Sequence, residues 1–191
     1  MPSVLHRSAA PAAARDGSAT LDACNVHRAH ADFVWLSLQR LGVRDDDLED
    51  TLQEVFVVVH QRLHTFDGSS QMTTWLFGIC MRVAAAYRRR AHRRREELVA
   101  DVPETPSALG PEDALAAGQA QQQLATLLET LDLEKRAVFV MYEIEELSCE
   151  EIASVVGVPV GTVYSRLHAA RKVFEASVAR SQARQARRGV A

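Results

Sequence analysis

Cysteine is scarce, with residues 24, 80 and 149 the only three in a chain of 191. An odd number at wide spacing gives neither a disulfide framework nor a paired Cys-x-x-Cys metal knuckle. A reducing, cytoplasmic compartment is the simplest expectation. No apolar run approaches the roughly 20 residues that a membrane-spanning helix needs, so membrane insertion is not expected. The N-terminus "MPSVLHRSAAPAAARDG" lacks the apolar core of a secretory signal, and residues 1–20 are expected to form a disordered extension. Catalytic signatures are missing as well. There is no Gly-x-Ser-x-Gly elbow, no Gly-x-x-x-x-Gly-Lys phosphate loop and no Gly-x-Gly-x-x-Gly after a strand. An enzyme, a small-molecule substrate and a bound cofactor are therefore not expected. His60 and His64 share a helix face, but no third ligand accompanies them, so no metal site is expected either.

What the chain does have is segregated charge. The formal net charge is only −3, yet residues 98–151 hold 12 acids against Lys135 and Arg136. Residues 162–191 hold seven Lys/Arg against the single acid Glu175. Six arginines fall between Arg88 and Arg95. Basic patches of this kind are the electrostatic footprint of a polyanion-binding protein.

Strand alternation is almost absent, and apolar residues recur at helical spacing. Leu48, Leu52, Val55, Phe56, Val59 and Leu63 lie on one face of a long helix. Asp46 with Glu49 matches a capping-box pattern at its start. A shorter helix precedes it and ends near Gly42, and "FDGSS" turns the chain into a third helix with its stripe on Met72, Trp75, Leu76, Ile79, Val83 and Tyr87. Residues 98–118, with three prolines and two glycines, read as a flexible linker. Helical spacing resumes at Leu124. The expected fold is all-α: a helical module over 21–97, a linker over 98–118, a second module over 119–178 and a basic tail over 179–191.

"LSCEEIASVVGVPVGTVYSRLHAARKVF" carries the clearest local logic. Ser148 and Glu151 match a capping box, Gly157 suits a left-handed helix end, and Pro159 suits the opening of the next helix. A short helix, a Gly-containing turn and a helix rich in Arg, Ser and Thr is the layout of a DNA-reading helix-turn-helix. Spacing alone also fits a helical hairpin with a solvated basic face. In the first module, Phe66, Trp75 and Phe77 beside an arginine run suit unstacked bases and their phosphates. Trp75 also belongs to the apolar stripe and is accounted for equally as core.

With these motifs in view, the chain resembles the extracytoplasmic-function (ECF) group of bacterial sigma factors. "LEDTLQEVFVVVHQRLHTFDG…TTWLFGI" is similar to that family's region two, and "LEKRAVFVMYEIEELSCEEIASVVGVPVGTVYSRLHAARKVF" to its region four. The resemblance implies that Asp50, Gln53, Glu54 and Phe56 dock on core RNA polymerase. It implies that Phe66, Asp67, Trp75, Arg82, Tyr87, Arg88 and Arg89 engage minus-ten DNA and assist its melting. It implies that Thr162, Ser165, Arg166 and Arg171 fall on a helix that enters the minus-thirty-five major groove. An inhibitory anti-sigma partner is implied too. The sequence departs from the family pattern in having Arg82 for the usual Asn, Asp132 for a common Pro and Glu146 for a common Gly. Two further readings are an autonomous helix-turn-helix regulator and a sigma mimic that titrates an anti-sigma factor. The aromatic loop with its arginine run weighs against the first, and the retained Arg166, Arg171 and Lys172 against the second.

Overall fold

A computed structural model describes residues 22–97 and 112–188, with side chains over 22–94 and 120–186. Among the described residues seven α-helices follow one another: α1 (Ala23–Leu41), α2 (Leu48–Arg62), α3 (Met72–Glu97), α4 (Glu112–Leu128), α5 (Leu133–Glu143), α6 (Cys149–Val156) and α7 (Val160–Arg188). No strand occurs among the described residues, as the apolar spacing implies.

The first module packs α1, α2 and α3 against one another. Val34, Leu38 and Leu41 of α1 meet Leu48, Val55 and Val59 of α2 and Leu76, Phe77 and Ile79 of α3, all fully buried. Phe77 is thus core rather than part of an exposed aromatic pair. The expected Asp46 cap does not form. Residues Asp45–Asp47 make a 3-10 turn instead, and no side chain caps the start of α2. The Asp47 carboxylate accepts a 2.7 Å bond from the Tyr87 hydroxyl on α3.

The second module packs α5, α6 and α7, with α4 along α7. Val138, Met141, Ile152, Val163, Leu167 and Ala170 are its buried core. Asp132 caps α5 by accepting from the Lys135 N–H at 2.9 Å, so the residue that departs from proline still starts a helix. Glu146 adopts φ 55, a left-handed conformation that costs a residue other than Gly about 1–2 kcal/mol. The boundaries expected for the linker and tail change. Helix α4 already begins at Glu112, inside the segment 98–118 read as a tether, and α7 runs unbroken through residue 179 to Arg188. Ser177, just before that boundary, is buried, and its hydroxyl donates to Thr130 at 3.1 Å. The extension 1–20, residues 98–111 and residues 189–191 lie outside the described residues.

The modules also pack on each other, which local periodicity does not reveal. Helix α1 meets α4 and α5, and α3 meets α6. Arg40 donates to Glu145, 105 positions away, at 2.8 Å. Burial raises the Glu145 carboxyl pKa, and the Arg40 charge opposes that shift. Gly78 faces Val155, where a Cβ would come within 3.2 Å. Arg136 of α5, only 2% exposed, lies under the end of α1. Gly42 there has φ +87, and a Cβ on it would stand 2.0 Å from Arg136 Nη1. Gly42→Ala is therefore expected to cost about 1–3 kcal/mol through left-handed strain, with the displaced guanidinium adding to it. Urea denaturation of the full chain measures that loss.

Candidate nucleic-acid interface

Helix α2 presents Asp50, Gln53 and Glu54 to solvent on the side away from its buried stripe. With Val57, Val58 and Val83 they line a shallow groove. Arg90 of α3 donates to both Glu54 carboxylate oxygens at 2.9 Å, bracing this acid on the surface. Phe56 does not join them. It is half-buried, with its ring 4.2 Å from that of His27, and belongs to the packing of α1 on α2. Val57, 56% exposed, is the apolar residue that this face offers instead. Its signal in the sequence is that it falls outside the α2 apolar stripe.

The turn between α2 and α3 is fixed by its own polar groups. The Ser69 N–H donates to Asp67 Oδ1 at 2.9 Å, and Gly68 takes φ 74. Hydrogen bonding from Ser69 holds the Asp67 carboxyl below its ordinary range. Phe66 and Trp75 meet edge to face, with ring centroids 5.6 Å apart. Both are half-buried, so Trp75 serves the core on one side and leaves part of its indole accessible.

Along α3, Arg82 and Arg89 are exposed and Arg88 is half-buried. Tyr87 is committed elsewhere. Its hydroxyl is bound to Asp47, and burial, helped by that carboxylate, pushes its pKa up to about 12. A raised phenol pKa favours the neutral folded form. The stabilisation is complete below the ordinary value near 10 and is lost as pH climbs toward 12. Denaturation followed over that window should show a steeper alkaline loss for the native chain than for Tyr87→Phe.

The helix-turn-helix forms as its sequence dictates. Ser148 Oγ accepts from the Glu151 N–H, the Glu151 carboxylate accepts from the Ser148 N–H at 2.9 Å, and Gly157 closes α6 at φ 72. Helix α7 then buries Val163, Leu167 and Ala170. Its exposed stripe runs Gly161, Tyr164, Ser165, His168 and Lys172. Of the four residues expected there, Ser165 lies on the stripe, its hydroxyl donating to the Thr162 carbonyl at 2.9 Å, and Thr162 is half-buried. Arg171 is exposed but braced, donating to Glu143 at 2.7 Å and standing 5.0 Å over the Tyr142 ring. Arg166 turns off the stripe, 21% exposed and ion-paired with Glu134. Tyr164, 56% exposed, and His168 complete the face. Their i, i+4 spacing opposite Val163 and Leu167 is the signal that marks them.

The two sets of basic residues, expected on separate modules, converge. Arg82, Arg88 and Arg89 of α3 face Glu134 of α5 and Arg166 of α7 across a cavity of about 550 Å³. Among the described residues no group of His, Cys, Asp or Glu could hold a metal ion, and no helix is long and apolar enough to cross a membrane. Cys24, Cys80 and Cys149 are all free thiols, the last two buried.

Comparison with known proteins assigns this pair of modules. The family described as Sigma-70 region 2 matches residues 26–94, and Sigma-70, region 4 matches residues 121–173. The two together define a transcription-initiation factor of the sigma type. The ECF RNA polymerase sigma-E factor of Escherichia coli (strain K12) is 31% identical over 151 residues, covering 74% of this chain and 79% of the relative. The ECF RNA polymerase sigma factor SigE of Mycolicibacterium smegmatis is 34% identical over 147 residues, covering 76% of this chain and 57% of the relative. The chain belongs to the ECF sigma factors. Two solved structures share the fold. One is CnrH bound to the cytosolic domain of CnrY (TM-score 0.58, 24% identity, 82% of this chain and 86% of that one). The other is the Bartonella quintana sigma factor RpoE bound to the anti-sigma factor NepR (TM-score 0.62, 19% identity, 81% and 95%).

Proposed function

We propose that the α2 face of Asp50, Gln53, Glu54 and Val57 docks on core RNA polymerase. The Phe66–Trp75 loop then receives an unstacked base of the minus-ten element. Arg82, Arg88 and Arg89 neutralise the adjoining phosphates, and the α7 stripe reads the minus-thirty-five major groove. Asp67 shapes the loop through its turn, and Tyr87 acts by holding α3 on α2. Arg166 joins the α7 stripe once it leaves Glu134. The observation that carries this reading is the coexistence of an aromatic-and-arginine helix and a capped helix-turn-helix in one chain. Duplex reading alone requires only the second. Binding energy from many contacts separates a few base pairs, and nucleotide chemistry stays with the polymerase, so this chain acts in the cytoplasm as a non-enzymatic specificity subunit without a cofactor. An anti-sigma protein is the expected inhibitory partner, as in the complex of Bartonella RpoE with NepR.

The test mixes purified protein with bacterial core polymerase and a genomic promoter library and sequences the run-off transcripts. Transcripts that depend on the added protein are expected. DNA binding by the protein alone, with no such transcript, would make it an autonomous regulator. A second measurement addresses the arginines. Each phosphate contact adds about 0.9 to the slope of log affinity against log salt, so the Arg88→Gln/Arg89→Gln double variant should flatten that slope by nearly 2. An unchanged slope contradicts the role given to them.

A further inference from the structure

The cavity between the modules holds an electrostatic deficit. Four guanidinium groups from two helices line it, with Glu134 the one acid among its lining residues and already paired with Arg166. Arg88 Nη1 is buried and has no hydrogen-bond partner, and neither has Nε of the neighbouring Arg136. Burial first, and then the nearby Arg88 charge, push the Arg136 pKa down to about 10, against the opposing charges of Glu129 and Asp132. Four like charges drawn to one partly enclosed cavity, one of them with a donor left over, call for an anion. A floor that includes Leu133 and Val156 excludes part of the solvent and strengthens any such contact. At about 550 Å³ the space exceeds what one small oxyanion fills and lies in the range of small-molecule sites.

We propose that this inter-module cavity binds an oligophosphate, either inorganic or the phosphate tail of a nucleotide, and that its occupancy fastens the two modules together. Guanidinium forks match phosphate oxygens in pairs, and a chain of several phosphates satisfies arginines contributed by both modules at once. A ligand that binds only the packed form stabilises that form by mass action. The binding step stands by itself. Its consequence, competition with promoter DNA for Arg82, Arg88, Arg89 and Arg166, rests on the function proposed above.

The test uses the full chain without DNA or polymerase, so it is independent of transcription. Isothermal titration with inorganic tripolyphosphate, at constant ionic strength near physiological, is expected to give one site per chain. Sulfate at matched ionic strength should bind at least tenfold more weakly. Arg88→Gln should weaken tripolyphosphate at least tenfold. Glu145→Arg, outside the cavity, replaces the Arg40 ion pair by two like charges at the seam and so weakens the packed form, and it too should lose affinity although it adds positive charge. The swap Arg40→Glu/Glu145→Arg restores the pair and should restore affinity, with circular dichroism confirming that each variant is folded. Glu145→Arg binding as tightly as the native chain, or sulfate matching tripolyphosphate, would show diffuse attraction to basic helices and overturn the proposal. A nucleoside triphosphate binding more tightly than tripolyphosphate identifies a nucleotide as the source, and the reverse order identifies an inorganic chain. Either order upholds the site.

Discussion

Trp75→Ala is expected to slow promoter opening roughly 5- to 150-fold, because stacking an unpaired base on an aromatic ring is worth about 1–3 kcal/mol. The indole leans edge-on against Phe66 and is only half-buried, so it has a free flank to offer. Truncation removes the stacking platform together with this contact. Trp75→Phe keeps an aromatic face at the same position and should recover most of the rate. Permanganate reactivity of the melted strand in the polymerase complex measures the effect. Binding to a duplex carrying only the minus-thirty-five element should not change, since α7 is untouched. Unaltered strand reactivity in Trp75→Ala would return Trp75 to the core alone.

Arg166→Ala is expected to cost about 1–3 kcal/mol on the preferred promoter and to relax selectivity at one base pair. The partner that Arg166 must leave sets the balance. Glu134 is 69% exposed, and ion pairs so open to water contribute at most about 1 kcal/mol. A bidentate base contact outweighs that, so the side chain can exchange Glu134 for DNA. Glu134→Ala should accordingly raise affinity for promoter DNA, by less than about fivefold. Fluorescence anisotropy over a set of promoter variants checks both. An equal loss on every sequence for Arg166→Ala would make it a phosphate contact.

What could be read from the sequence was what neighbours in the chain decide. Ser148 and Glu151 lie three positions apart, and Gly157 closes the same short helix, so both features were legible before any packing was known. The Asp46 cap failed for the opposite reason. The turn around it is held by Tyr87, 40 positions away, through Asp47, and no local pattern carries that bond. Phe56 was read as a docking residue by its place in a family motif, whereas the fold turns it onto His27. The linker boundary at 118 and the tail boundary at 179 rested on composition. Alanine, glutamine and arginine are good helix formers, and helix accordingly continues into residues 112–118 and through residues 179–188. Convergence of Arg82, Arg88 and Arg89 with Arg166 depends on contacts such as Arg40 with Glu145 and was invisible to periodicity.

The early start of α4 has a consequence for geometry along the promoter. With α4 lodged on α7, the covalent link between the modules is confined to residues 98–111, from the end of α3 at Glu97 to Glu112. Fully extended, a segment of that length spans roughly 50 Å. At about 3.4 Å per base pair this equals some 15 base pairs of duplex. The chain thus carries a ruler. That length bounds how far Glu97 and Glu112 can part, so the reach between the proposed minus-ten and minus-thirty-five surfaces is this strap plus the modules' own dimensions.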